Sequence, residues 1–387
     1  MGKVAMYSTS RLFGERITGG LKRFLELYKG LKIRGTDVDL YSADSSRSLE
    51  ENGVVSGYSL MFKGKSKNTF VPTVFNIIIR NLGTLWKIKK AKYDSIIVFD
   101  VPAAIGLCLL GIKNIQLFIR QDLVGYKNIA ISSRTNSKLF KNIYLQFMKI
   151  CEAICLLVAE RVVIQCEYDY NVIINRHRFI KNKISKKSII QINNVNPSWI
   201  VDNSITDKSF IENDQNKKFT IGFIGDFSND RKGHRILVDA AKRLIDRGVD
   251  IDIILIGEGK QLSAYKEGCA NYPNIKFTGR LDNPIEVVKQ CNLMVVPSLA
   301  DSCPNTVMEG LYNEVPVIGA RSGGIPEVLN NEDFLFDPNP SSLESKIEYF
   351  LNRDNLTKLR KKQYTRKREL EFDWNAIIIG HLQLESK

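Results

Sequence analysis

Residues 20–35 read GLKRFLELYKGLKIRG, and residues 233–248 read GHRILVDAAKRLIDRG. Each stretch runs fifteen residues from glycine to glycine, and both glycines are displaced by 213 positions from one copy to the other. Between them, apolar residues recur at helical spacing: Leu21, Phe24, Leu25, Tyr28 and Leu31 in the first copy, Ile236, Leu237, Ala240, Ala241 and Leu244 in the second. That period predicts a helix with one buried face, closed by a glycine that tolerates the turn out of it. An apolar strand precedes each copy (VAMYS at 4–8, FTIGFI at 219–224), and another follows (DVDLYS at 37–42, DIDIILIG at 250–257). A repeated β-loop-α-β unit predicts two doubly wound parallel sheets, one in each half of the chain.

The rhythm continues with predicted strands at 95–100, 115–120, 161–165 and 188–192, and at 276–279, 293–297 and 316–320. The polar stretch DNSITDKSFIENDQNKK (202–218) reads as a linker. The expected organisation is an N-terminal Rossmann-like domain over 1–200, a linker over 201–218 and a C-terminal Rossmann-like domain over 219–365. A last helical segment, 366–387, follows and packs back on the first domain. A length of 387 residues suits two cores, and 44% apolar with 25% charged residues excludes wholesale disorder.

Seven cysteines without a Cys-x-x-Cys pair and three scattered histidines (177, 234 and 381) argue against a zinc site or disulfide framework and fit a reducing cytoplasm. Residues 3–8 are too short for a signal-peptide core, and the apolar run at 101–112 is too short to span a bilayer. The expectation is a soluble or peripheral cytoplasmic protein. The net charge of +14 divides into +17 for residues 1–200 and −3 for the remainder. Such a basic half suits an anionic membrane surface or simply a solvated face. Aromatic and basic residues do not interleave as on nucleic-acid platforms, so no nucleic-acid partner is expected.

In open parallel sheets ligands bind at the carboxyl ends of the strands. There, VVPSLADSCPNTVMEGLYNEVPVIGARSGGIPEVL (295–329) places Asp301 in a loop, Asn305 and Thr306 in a first helical turn and Glu309 within the helix. A helix start offers free N–H groups to an anion; the alternative is that Asp301 caps the helix and Glu309 is solvated. The loop DFSNDRKGH (226–234) brings Arg231 and Lys232 to another helix start, as an anion clamp or a solvated turn. Both Asp-x-Asp triplets, at 37–39 and 250–252, sit at the amino ends of strands, which argues against metal binding.

With these residues in view, the C-terminal half resembles the retaining glycosyltransferases of family 4, the group 1 type. The resemblance implies the GT-B fold, an α/β architecture of two doubly wound Rossmann-like domains facing a cleft. The family's acid, seven residues, then Glu reads Asp301-SCPNTVM-Glu309 here, followed by PVIGA, SGG and IPE. DSCPNTVMEG is similar to a polysaccharide-building subset. FIGDFSNDRKGH resembles the diphosphate-clamping segment: Lys232 matches its lysine, Asp226 stands at the usual arginine position, and Arg231 is the substitute. IGEG (256–259) and FTGRLD (277–282) resemble the loops near the base, implicating Gly257, Arg280 and Leu281. ITGGLKRFLEL (17–27) resembles the Gly-Gly loop that approaches the donor phosphates, implicating Gly20. NNVNP (193–197) is similar to the family's domain-ending Asn-Gly-Val-Asp, with Asn194 in place of Gly. The histidines frequent at acceptor-facing strand ends are missing, and Asp100, Arg120 and Asp122 stand there instead.

By resemblance, Asp301 and Glu309 are the catalytic-site acids, Asp301 touching the sugar and Glu309 the ribose. Gly20, Arg231, Lys232, Asn305 and Thr306 serve the donor diphosphate. The implied reaction moves a hexose from a nucleotide diphosphate sugar to a glycan or lipid-linked saccharide, with retention, without a metal and without a cofactor beyond the donor. A GT-B nucleotide-sugar epimerase and a non-catalytic nucleotide-sugar binder are the alternatives.

Overall fold

The computed structural model of the chain describes residues 2–13, 19–60, 70–132, 137–197 and 218–384. The predicted linker therefore lies outside the described residues except at Lys218. The chain forms two compact units, 1–192 with 373–387, and 193–372.

The first unit is built on seven strands: β1 (Val4–Tyr7), β2 (Val38–Ser42), β3 (Gly57–Ser59), β4 (Ser95–Phe99), β5 (Ile115–Ile119), β6 (Arg161–Ile164) and β7 (Ser188–Ile190). Their order is β3-β2-β1-β4-β5-β6-β7, and every neighbouring pair is parallel. β1, β2, β4 and β5 are buried at every position, as expected of strands covered on both faces. The second unit has six parallel strands: β8 (Phe219–Ile224), β9 (Ile251–Ile256), β10 (Ile275–Gly279), β11 (Leu293–Val296), β12 (Val317–Ala320) and β13 (Leu335–Phe336). Their order is β10-β9-β8-β11-β12-β13. The strand order therefore reverses between β1 and β4 in one sheet and between β8 and β11 in the other, the topological switch points at which such sheets bind ligands.

The repeated helices span Gly19–Ile33 and His234–Asp246. In the second, the predicted apolar stripe is buried as read, and each large member contributes roughly 1.5–3 kcal/mol. In the first, the buried face is rotated: Phe24, Leu27, Tyr28 and Leu31 are buried, while Leu21 and Leu25 are half-buried. The cause is the Trp374–His381 helix, which packs on the same element. The Arg23 guanidinium lies 5.5 Å from the Trp374 ring centre, Arg34 pairs with Asp373 at 2.9 Å, and Gly30 lies so close beneath Asn375 that a β-carbon would meet its amide at 2.6 Å.

The boundaries differ from the sequence reading, which divided the chain at 200 and 366. The Val195 amide donates to the Leu370 carbonyl at 3.0 Å and the Asn194 side chain to that of Phe372 at 3.0 Å. These bonds hold both crossing segments to the second unit, so the Arg353–Glu369 helix belongs there and only 373–387 returns.

Candidate functional site

In the second unit, the loops after β8, β11 and β12 converge at the switch point. After β8, the Asn229 side chain accepts the Arg231 amide at 3.0 Å and fixes the turn before the helix at His234. The Leu299 amide donates to the Arg231 carbonyl at 2.8 Å, joining this turn to the loop after β11. Across that join, Lys232 Nζ donates to Asp301 Oδ2 at 2.5 Å; Arg231 Nη1 reaches the same oxygen at 3.2 Å and the Ala300 carbonyl at 2.9 Å. All three charged side chains are less than a fifth exposed. Burial alone would raise the Asp301 pKa, but the charges of Lys232 and then Arg231, with their hydrogen bonds, outweigh it and hold the carboxyl below its ordinary range.

The loop after β12 grips the backbone of Asp301. The Gly324 amide donates to the Asp301 carbonyl at 2.9 Å. Gly323, at φ 56°, passes so close that a β-carbon would lie 2.2 Å from that carbonyl oxygen. At Gly233, φ 73°, a β-carbon would likewise lie 1.9 Å from the Pro297 carbonyl oxygen. The frame is thus backbone against backbone.

The helix Asn305–Tyr312 starts at Pro304, which is its N-cap and whose carbonyl accepts the Val307 amide at 3.0 Å. Asp301 is held by the two cations and does not cap it, which removes the purely local account of this residue. Asn305 and Thr306 occupy the first turn, and Glu309 stands half-buried in the second. Toward the other side of the sheet, the Gly257 amide donates to the Gly279 carbonyl at 2.9 Å, and Arg280 approaches Glu258 at 3.6 Å; Leu281 is the next residue. Gly257 and Arg280 are therefore brought together. Asp226 accepts the Ser228 amide and hydroxyl at 2.9 and 2.6 Å and so shapes its own loop.

His234, next to the clamp, has no exposed surface and stacks among Phe227, Phe223 and Tyr265, with ring centres 4.0, 5.0 and 5.7 Å away. Neither ring nitrogen has a hydrogen-bond partner among the described residues. Burial pushes its pKa down to about 4.

In the first unit, Gly20, Asp100 and Arg120 meet at the other switch point. Arg120 pairs with Asp100, and its guanidinium lies where a β-carbon on Gly20 would stand, 1.1 Å from Nη1. Asp100 has φ 71° and ψ 149°, a strained conformation costing about 1–3 kcal/mol of the kind stored at functional sites. Asp122 is not part of this group. It pairs with Arg176, which also donates to Glu152 at 2.7 Å, and His177 Nε2 lies 2.7 Å from the same carboxylate. Sequence reading missed Glu152, Arg176 and His177; the one signal was a lone acid in an otherwise apolar and basic helix. Three of the four Asp-x-Asp carboxylates are taken up by local pairs: Asp39 with Lys3, Ser56 and Tyr93, and Asp250 and Asp252 with Lys218. Among the described residues, no three His, Cys, Asp or Glu side chains gather as a metal site.

Residues 218–353 match the family described as glycosyl transferases group 1. That stretch is similar to a group 1 glycosyltransferase domain. A glycosyltransferase of Methanocaldococcus jannaschii, uncharacterised, is 28% identical over 213 residues, covering 52% of this chain and 56% of that one. The capsular polysaccharide biosynthesis glycosyltransferase CapM of Staphylococcus aureus is 23% identical over 235 residues, covering 56% and 60%. The matches span about half the length of these curated relatives. Among solved structures, sucrose-phosphate synthase of Thermosynechococcus elongatus aligns with TM-score 0.75 at 16% identity over 99% and 98% of the two chains. Anabaena HepE in complex with UDP-glucose aligns with TM-score 0.67 at 14% identity, covering 99% of each. The chain has the GT-B fold, and the matched residues 218–353 contain the Lys232, Arg231 and Asp301 cluster whole.

Proposed function

We propose that the chain transfers a hexose from a nucleotide diphosphate sugar to a hydroxyl of a saccharide or lipid-linked saccharide acceptor in glycan assembly, with retention and without a metal or further cofactor. The observation that carries this reading is the convergence of two cations, one carboxylate and a helix start at the switch point of the second unit. The family match, the capsular role in the name of CapM and the UDP-glucose bound by HepE support the donor class.

In this reading the second unit binds the donor. Lys232, Arg231 and the amides of Asn305 and Thr306 stabilise negative charge growing on the diphosphate, the role a preorganised electrostatic site performs best. Asp301 orients the sugar hydroxyls, Glu309 the ribose, and the backbone at Gly257, Arg280 and Leu281 faces the base. In the first unit, Gly20 meets the donor phosphates while Asp100 and Arg120 present the acceptor. Asp122, taken up by Arg176, is left out of that side. The bond from the anomeric carbon to the diphosphate oxygen breaks with its electron pair on that oxygen. The acceptor oxygen forms the new bond on the same face and loses its proton to the departing phosphate.

The test is a panel of nucleotide diphosphate sugars with crude lipid acceptor, scored by nucleotide release. Release that requires both one donor and an acceptor is expected. Donor conversion without acceptor would make the chain an epimerase, and affinity without turnover would make it a binder; either result overturns the proposal.

A further inference from the structure

Two helices of the first unit carry an apolar stripe on the outside as well as one on the inside. In Phe70–Ala91, the core side is Val74, Ile77, Leu85 and Ile88, whereas Phe75, Ile79, Leu82 and Trp86 are 49–71% exposed. The helix kinks at Asn81, and on either side of the kink the exposed residues come as a pair four apart, Phe75 with Ile79 and Leu82 with Trp86, each pair sharing a face of its own segment. In Lys138–Val158, Tyr144, Met148, Cys151 and Cys155 face the core, whereas Leu139, Phe140, Ile143, Ile150 and Leu157 are 42–72% exposed. The two outer faces adjoin, since the Phe75 and Phe147 rings stack at 6.3 Å. Tyr144 is buried and Phe147 half-buried, so neither belongs to the exposed stripe.

Charge identifies what meets this surface. The helices carry seven cations, Arg80, Lys87, Lys89, Lys90, Lys138, Lys141 and Lys149, against one acid, Glu152, which is fully buried and paired. A second copy docking symmetrically would set these cations against themselves. Neither helix is long and apolar enough to cross a membrane. Apolar side chains flanked by cations, including a Trp with Lys90 4.6 Å from its ring centre, match a helix lying in the interface of an anionic bilayer.

We infer that the outer faces of Phe70–Ala91 and Lys138–Val158 together form a surface that docks on an anionic lipid leaflet. This deepens the acceptor reading and rests on it only for its purpose, because docking is measured without any transfer. The sequence has three further lysines just before the first of these helices, Lys63, Lys65 and Lys67, which lie outside the described residues.

The full chain is floated with vesicles of phosphatidylcholine alone or with about one third phosphatidylglycerol, at low and high salt. Binding to the anionic vesicles only, falling steeply with salt, is expected. Lys138→Glu should weaken it about fivefold or more, and the pair Ile79→Glu with Ile143→Glu should abolish it with an unchanged melting temperature. Trp86 emission should shift to the blue on binding, a change that Trp86→Phe removes. No binding, equal binding to neutral vesicles, or a dimer in lipid-free solution that Ile79→Glu dissociates would overturn the inference. Nucleotide-sugar affinity measured on the same preparations without lipid separates that outcome from failure of the glycosyltransferase reading.

Discussion

Replacing Lys232 by Ala separates the structural from the chemical work of the clamp. In the folded chain Lys232 and Arg231 share Asp301 Oδ2 at 2.5 and 3.2 Å. Removing Lys232 leaves the carboxylate with Arg231, so it is not orphaned, and the loss of one charge-assisted hydrogen bond costs about 1.5–3 kcal/mol. Partial exposure of the group discounts this toward the lower end. If Lys232 also meets charge growing on the leaving diphosphate, kcat/KM falls by a further factor of about 10²–10³. Urea unfolding reads the first quantity and nucleotide release the second. The same variant has a pH signature. Asp301 titrates below its unfolded value, so its contribution is present above the unfolded pKa and lost as pH falls through the folded one. Lys232→Ala raises the folded pKa and shrinks that acid-sensitive contribution. Wild-type kcat/KM in a folded Lys232→Ala chain would refute the reasoning, as would an unchanged acid limb of stability.

Glu309→Gln should leave folding intact yet weaken donor use by about 2–4 kcal/mol in transition-state terms; wild-type turnover would remove Glu309 from the site. Gly20→Ala places a β-carbon 1.1 Å from Arg120 Nη1, so the guanidinium must leave Asp100. Acceptor KM should rise while the melting temperature shifts little, and an unaltered KM would separate this group from the acceptor. Transfer should persist in excess EDTA; loss restored by manganese would contradict the assignment of charge stabilisation to Lys232 and Arg231. His234, with its pKa pushed to about 4 by burial, binds its proton more weakly folded than unfolded. Stability should therefore fall by up to about 3 kcal/mol as pH drops from the unfolded value through the folded one. His234→Phe should flatten that dependence in urea melts, and an unflattened curve would place the titration elsewhere.

What could be read from sequence follows from how local the signal is. Strands buried on both faces announce themselves as apolar runs, as at 95–99 and 293–296. The edge strands Gly57–Ser59 and Leu335–Phe336 are too short to do so. Lys232 and Asp301 were legible although 69 positions apart, because each follows a strand and sheet topology brings such loops together. Asp122 was grouped with Arg120 on proximity in sequence, but beyond a strand end the alternation of faces lapses, and Arg176 captures it. Glu152 lies within the Lys138–Val158 helix and His177 caps the end of the Glu167–Arg176 helix 25 positions on, a pairing that only the packed core defines. The crossing of the chain at 373 depends likewise on tertiary hydrogen bonds at Val195 and Asn194.

The closeness of Gly233 and Gly323 to neighbouring carbonyls bears on how this domain could be re-engineered. A wall made of main chain has no side chain to trim or swap, so its shape is closed to gradual change: any β-carbon there must displace a whole loop. Glu258, Arg280 and Leu281, by contrast, lie on partly or fully open surface after β9 and β10. Libraries aimed at donor preference should leave Gly233 and Gly323 untouched and randomise 258, 280 and 281. The recovered variants should then differ in which nucleotide sugar they accept while unfolding at nearly the same temperature.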